Sequence, residues 1–220
     1  MAAIPAEPAE PRIGIPRLPE LADAGGNPGP GAEYEAVRFH GAGGTLLDVS
    51  RCTFYECRFQ RLSAGTLVSA PAAFVDVEVA QPDIIEWTAP SSRWRRAGIT
   101  GGRIGSLDFS GARLDGVRFT GLRIGHAGFR AATLTDVEFL DCSFESLDLA
   151  GAVPVRVSYR SCRAGEVDLD CCSGADLDLR GLDFEAVDGI ATARGATISA
   201  AQLVQVAPVL AGAAGLRVLD

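Results

Sequence analysis

The chain has no lysine: all twenty of its basic residues are arginine. It also has one Met, two His, two Trp and three Tyr in 220 residues. Two histidines leave little material for a metal centre or for imidazole acid–base chemistry. No Cys-x-x-Cys pair is present, although there are six cysteines. No apolar run reaches the roughly 18 residues of a membrane-spanning helix. The opening segment, MAAIPAEPAEPRIG, lacks both the basic start and the apolar stretch of a secretory leader, so a cytoplasmic location and no membrane partner are expected. Twenty-eight acids give a net charge of −8, which opposes nucleic-acid binding, because phosphate contacts need clustered positive charge.

What is present is a repeat. Residues 107–151 read, in fives, LDFSG ARLDG VRFTG LRIGH AGFRA ATLTD VEFLD CSFES LDLAG. The third residue of each block is large and apolar, and the first is apolar and often small. The large position falls at residues ending in 4 or 9. From Tyr34 to Gly189 that gives 32 sites, of which 27 are apolar. The small position, from Ala32 to Val187, is apolar at 29 of 32. All ten Phe share the large position; once the first sets the phase, chance agreement of the rest is about one in two million.

A period of five suits neither an amphipathic helix nor an alternating strand. It suits a chain that turns one corner per five residues, with four corners closing a coil of about twenty. Coils stack at about 4.8 Å, so residues 32–191 make about eight coils and a rod on the order of 38 Å long. Phe109, Phe119, Phe129, Phe139, Phe144 and Phe184 are the expected core ladder.

The pattern resembles the pentapeptide-repeat family, in which a small apolar residue, Asp or Asn, Leu or Phe and two variable residues recur. The clearest matches are 107–149 and LDLRGLDF at 177–184, and the resemblance spans about 160 residues. It implies an all-β, right-handed quadrilateral β-helix. Between Ala64 and Gly102 the small position is taken by Pro82, Trp87, Ser92 and Gly102, so distorted coils are expected there. The division expected is a Pro/Gly-rich segment at 1–31, the solenoid at 32–191 and a C-terminal helix and strand at 192–220. Residues 1–10 read as disordered and 12–22 as a cap over the first coil. Ser199 can cap a helix over about 200–212; Pro208 inside it implies a kink or two short helices, and Gly215 suits its C-terminal cap. LRVL at 216–219 reads as a strand. This ending resembles that of the actinobacterial and quinolone-resistance members, which implies a homodimer; Leu203, Val206 and Leu210 are the candidate dimer or cap residues, and a plain cap is the alternative.

Cys52, Cys57, Cys142, Cys162 and Cys172 fall at the small inward position and read as core. Cys171 should face outward. His40 and His126 read as surface, and GAGGT at 41–45 as turn glycine. Nothing suggests a catalytic, cofactor-binding or metal-binding residue, so no enzyme and no cofactor are expected. Residues 93–130 hold eight Arg against two Asp, whereas 133–190 hold thirteen acids against four Arg. Arg93, Arg103, Arg113, Arg118 and Arg123 form a candidate basic belt. Asp108, Asp148, Asp168 and Asp188, spaced by multiples of twenty, form a candidate acidic column for a basic protein surface. Alternatively, Asp at this position bonds turn backbone. The expected function is a protein-binding scaffold of unknown partner. The resemblance implies a second reading, a DNA-mimicking modulator of DNA gyrase or another type II topoisomerase.

Overall fold

A computed structural model describes residues 7–218. Residues twenty apart pair in parallel along the rod: Phe74 with Trp94, Trp94 with Leu114, and Leu114 with Leu134. One sheet of twelve strands and one of eight result. The first is built of strands such as Arg93–Thr100 and Arg113–Thr120, the second of strands such as Arg103–Asp108 and Arg123–Gly128. Each backbone bonds to the coil before and the coil after, so the solenoid carries its own ladder.

The corners explain the outer residues of the period. In one coil Ser91, Arg96 and Gly101 take left-handed φ values of 57°, 49° and 63°; in the next, Gly111, Gly116 and Gly121 do the same at 64°, 66° and 64°. The fourth corner works differently. A Cβ on Gly105 would lie 2.6 Å from the Ile85 carbonyl oxygen, and one on Gly125 would lie 2.4 Å from that of Gly105. Crowding by the coil below, not a positive φ, selects glycine there.

The interior is solid. All ten Phe are at most 8% exposed. Rings one coil apart stack: Phe119 on Phe139 at 4.7 Å, and Phe139 on Tyr159 at 4.8 Å. Such pairs add about 0.5–1.5 kcal/mol beyond area burial.

The distortion expected between Ala64 and Gly102 does not reach the pairing of the coils. They keep the twenty-residue register of their neighbours. The reason is compensation of volume and polarity. Trp87 donates its indole N–H to Ser69 Oγ at 2.9 Å, and Trp94 donates to Ser92 Oγ at 3.0 Å. Small serines make room for the large rings and satisfy their only donor.

The ends also differ from expectation. The expected cap at 12–22 is a strap: only Ala22–Asp23 pairs with the first coil, as a strand beside Val37–Arg38. Residues 7–21 instead lie along the rod. Of the segment read as disordered, 1–6 falls outside the described residues, while Glu7 and Glu10 stand against Arg180 and Arg160. Strand pairing outlasts the five-residue period, because Arg194–Thr197 adds beside Ser173–Asp178 with a shifted register.

The helix runs Ala200–Ala213 as one element through Pro208, with no break into two. Ser199 Oγ accepts the Gln202 N–H and Gln202 Oε1 accepts the Ser199 N–H, a reciprocal cap. At its end Leu216 N–H donates to Ala211 O and Gly215 N–H to Gly212 O, with Gly215 at φ +76°. Leu216–Val218 is not a strand, since the chain leaves this cap with no neighbour to pair; residues 219–220 fall outside the described residues.

Candidate functional site: charged columns on the rod

The register converts sequence spacing into position on a face. Residues twenty apart stack; residues ten apart lie half a coil away. The five arginines of the expected belt lie on neighbouring coils but are spread over three columns. Arg93 stacks beside Arg113 in one column, and Arg103 beside Arg123 in another. Arg118 stands in a third column, against Glu138 at 2.6 Å. Arg103 is also paired, with Asp83 at 2.6 Å. Among the described residues, Arg93, Arg113 and Arg123 have no carboxylate within 4 Å.

Arg103 and Arg123 line a groove of about 720 Å³ on the eight-stranded face, together with Arg163. Gly105 and Gly125 form part of its floor, and His126 lies along it. His126 has a partner that sequence reading did not supply: its Nδ1 is 2.8 Å from Ser146 Oγ, one coil on. His126 is otherwise a surface residue.

The acidic column is real in register. Asp148 pairs with Asp168, and Asp168 with Asp188; Asp108 is separated from them by Gly128. Its carboxylates already have local work. Asp108, Asp148 and Asp168 each accept the backbone N–H two residues on, at 2.8–2.9 Å. This is the turn-bonding role of Asp at a corner. In the coil where Gly128 interrupts the column, Arg130 reaches across to Asp148 and Asp168 at 2.6 and 3.6 Å. Asp188 is exposed at the C-terminal end.

Two further carboxylates were missed in the sequence. Asp76 and Asp136 are buried at left-handed corners, at 5% and 7% exposure. Arg96 Nε bonds Asp76 Oδ1 at 2.7 Å, and Arg156 Nε bonds Asp136 Oδ1 at 2.6 Å. Each guanidinium holds its carboxyl below the usual carboxylate range. The N-terminal strap crosses both: Arg12 N–H donates to Asp136 Oδ1 at 2.8 Å and Arg17 N–H to Asp76 Oδ1 at 3.4 Å. The recurrence of an acid or Arg at residues ending in 6, spaced by twenty, was the available signal.

Cys52, Cys57, Cys142, Cys162 and Cys172 are buried and unpaired, and Cys171 is exposed. A hydrogen bond with Cys162 one coil away, and then burial, push the Cys142 thiol up. Burial pushes Cys172 to about 11, and the charge of Asp170 raises Cys171. The same hydrogen bond lowers the Cys162 thiol, which is buried in the core at 3% exposure. Among the described residues no group of three or more His, Cys, Asp and Glu is arranged to hold a metal ion.

At the C-terminal end Val206 is buried, Leu210 is partly buried and Leu203 is about half exposed. Gln202 Nε2 donates to Leu179 O and Leu182 O, and Gln205 Nε2 to Phe184 O. One side of the helix thus closes carbonyls of the last coil that would otherwise stay open. Leu203 and Val209, on either flank of that side, and Val204, opposite it, remain exposed. No helix among the described residues is long and apolar enough to cross a membrane.

No model of a known family matches the chain, and no curated protein does. Among solved structures, the chain is similar to two trypsin-treated variants of QnrB1, a plasmid-mediated fluoroquinolone resistance protein. One is 15% identical over 90% of this chain and 96% of that one, with a TM-score of 0.31. The other is 14% identical over 86% and 100%, with a TM-score of 0.22. The five-residue period of the sequence and the twenty-residue register of its coils, taken together, make this chain a parallel β-solenoid of five-residue repeats with a C-terminal helix.

Proposed function

We propose that the chain is a non-enzymatic scaffold that binds a protein partner through the faces of its rod. The observation that carries this reading is the separation of inside from outside. Aromatic rings fill the interior, while ionisable groups repeat outside at one per coil. A rigid surface with charges about 4.8 Å apart suits recognition of an extended charged surface. The Cys142 and Cys172 thiols are raised, the lowered Cys162 thiol is buried in the core, and the exposed His126–Ser146 pair has no carboxylate on its second ring nitrogen among the described residues, so these groups offer no accessible activated nucleophile. Six free cysteines agree with action in a reducing compartment such as the cytoplasm. The test is capture of partners by the purified protein beside a variant with Asp148, Asp168 and Asp188 changed to Asn. A stoichiometric protein lost with that variant supports the reading. Absence of any retained protein at tens of micromolar counts against it.

A second reading, a DNA-mimicking modulator of gyrase or another type II topoisomerase, draws on the run of Asp148, Asp168 and Asp188. The bridging Arg130 and the unpaired Arg93, Arg113 and Arg123 oppose it, because a phosphate mimic needs uninterrupted negative charge. Supercoiling by purified gyrase decides: no change with up to tens of micromolar protein removes this reading.

The exposed apolar side chains of Leu203, Val204 and Val209 on the terminal helix support two-fold pairing through the C-terminal end. Sedimentation should then give a dimer that Val204→Glu converts to a monomer.

A further inference from the structure

The strap over residues 7–21 shows how this rod holds an extended chain. Asp136 and Asp76 are sixty residues apart, which is three coils, or about 14 Å at about 4.8 Å each. Arg12 and Arg17 are five residues apart, or about 15 Å at the 3.1 Å rise of a polyproline II chain. The two repeats match, so successive donors meet successive carboxylates. Each donor N–H follows a proline, Pro11 or Pro16, in the segment PRIGIPRL. Between the two carboxylates the column holds Gly116. The strap passes above it at Gly14, whose nitrogen lies 3.8 Å from where a Gly116 Cβ would stand. A side chain at either glycine would narrow this crossing, since a Cβ on Gly14 would come 3.2 Å from Arg96 Cδ.

The contacts are made by main chain. The Arg12 and Arg17 side chains are exposed, and Ile15 is 78% exposed. Pro11, Ile13, Pro16 and Leu18 are half-buried against the rod, while the outer ion pairs, Glu7–Arg180 and Glu10–Arg160, involve glutamates that are 82% exposed. Exposed ion pairs contribute little. The strap is therefore held by its main-chain bonds to Asp136 and Asp76 and by the half-buried prolines and aliphatic side chains between them.

We propose that the column Asp76–Arg96–Gly116–Asp136–Arg156 is a docking track for extended, proline-rich protein segments, and that the chain's own strap occupies it in cis. A partner segment of the same chemistry, with free N–H groups five residues apart on a polyproline II backbone, displaces the strap. This deepens the scaffold reading by naming one partner chemistry, and it rests on that reading only for its use in the cell. The binding test needs no cellular partner, so failure of the track and failure of the scaffold reading are distinguishable.

The experiment uses the full chain. Arg12→Pro with Arg17→Pro keeps the strap's backbone preference but removes both donors. A fluorescent peptide of residues 7–21 is titrated into this variant and into the unsubstituted chain, with far-UV circular dichroism checking that both rods are intact. A tethered strap competes at an effective concentration near the millimolar range. The peptide should therefore bind the variant at least tenfold more tightly than the unsubstituted chain. The same peptide with both prolines introduced should lose binding, a control that leaves the protein untouched. Adding Asp76→Asn and Asp136→Asn to the variant should weaken binding at least threefold. No saturable binding, equal binding to both proteins, or binding indifferent to the peptide's prolines would overturn the proposal.

Discussion

Arg130 Nη2 lies 2.6 Å from Asp148 Oδ2. The next carboxylate of the column, Asp168, is 3.6 Å from the same nitrogen. One guanidinium thus sits against two like charges a single coil apart. At about 4.8 Å such charges repel by roughly 0.9 kcal/mol even at the dielectric of water. Arg130→Gln should lower the urea midpoint at low salt and leave it unchanged at about 1 M salt, where screening reaches about 3 Å. A loss that persists at high salt would mean that Arg130 acts through packing.

The fourth corner predicts a contrast between two glycines. Gly125→Ala places a Cβ 2.4 Å from the Gly105 carbonyl oxygen, whereas Gly98→Ala meets nothing within 4 Å. Gly125→Ala should destabilise by about 1–3 kcal/mol, as overpacking does. Gly98→Ala should be neutral or stabilise by up to about 1 kcal/mol, through a less flexible unfolded chain. Urea unfolding of the two variants checks both signs.

Tyr159 is a core residue with a polar end that finds no partner among the described residues. It is 2% exposed and stacks on Phe139, and its hydroxyl has no hydrogen bond. Burial pushes its phenol well above the ordinary value. Leaving such a group unpaired costs about 1–3 kcal/mol. Tyr159→Phe should therefore raise the unfolding midpoint while leaving the ring stack in place. A fall would show that the hydroxyl is satisfied.

The large position of the repeat was legible because one physical demand, filling the rod's centre, falls on every fifth residue. Phe119 and Phe139 announce their stacking by their spacing alone. The acidic column was legible for the same reason, since Asp148 and Asp168 differ by one coil. What was not legible depends on direction within a coil. The reach of Arg130 from a neighbouring column is a side-chain path that no period encodes. Trp87 and Ser92 looked like damage to the small position, yet both belong to a paired solution in volume and hydrogen bonding. The strap escaped because proline removes periodicity and donors together. Its register with the rod emerges only when a 3.1 Å rise is set against a 4.8 Å one.

Asp76 and Asp136 give the rod an acid limit. Arg96 and Arg156 hold their carboxyls below the unfolded value of about 3.9. A depressed folded value means that the native state releases its proton more readily than the unfolded state. The stabilisation is then fully present above about pH 4 and is lost as pH falls through the folded values. Substituting Asp136→Asn retains a side chain that tolerates the left-handed corner and removes the charge. At pH 7 it should cost about 2 kcal/mol, the scale of a hydrogen bond to a charged group. The gap between Asp136→Asn and the unsubstituted protein should narrow as pH drops below 4, because protonation of Asp136 in the unsubstituted protein removes the same charge that the substitution removed. Urea midpoints from pH 7 to pH 3 measure it. A gap of constant width would show that shape, and not charge, is what Asp136 supplies beneath the strap.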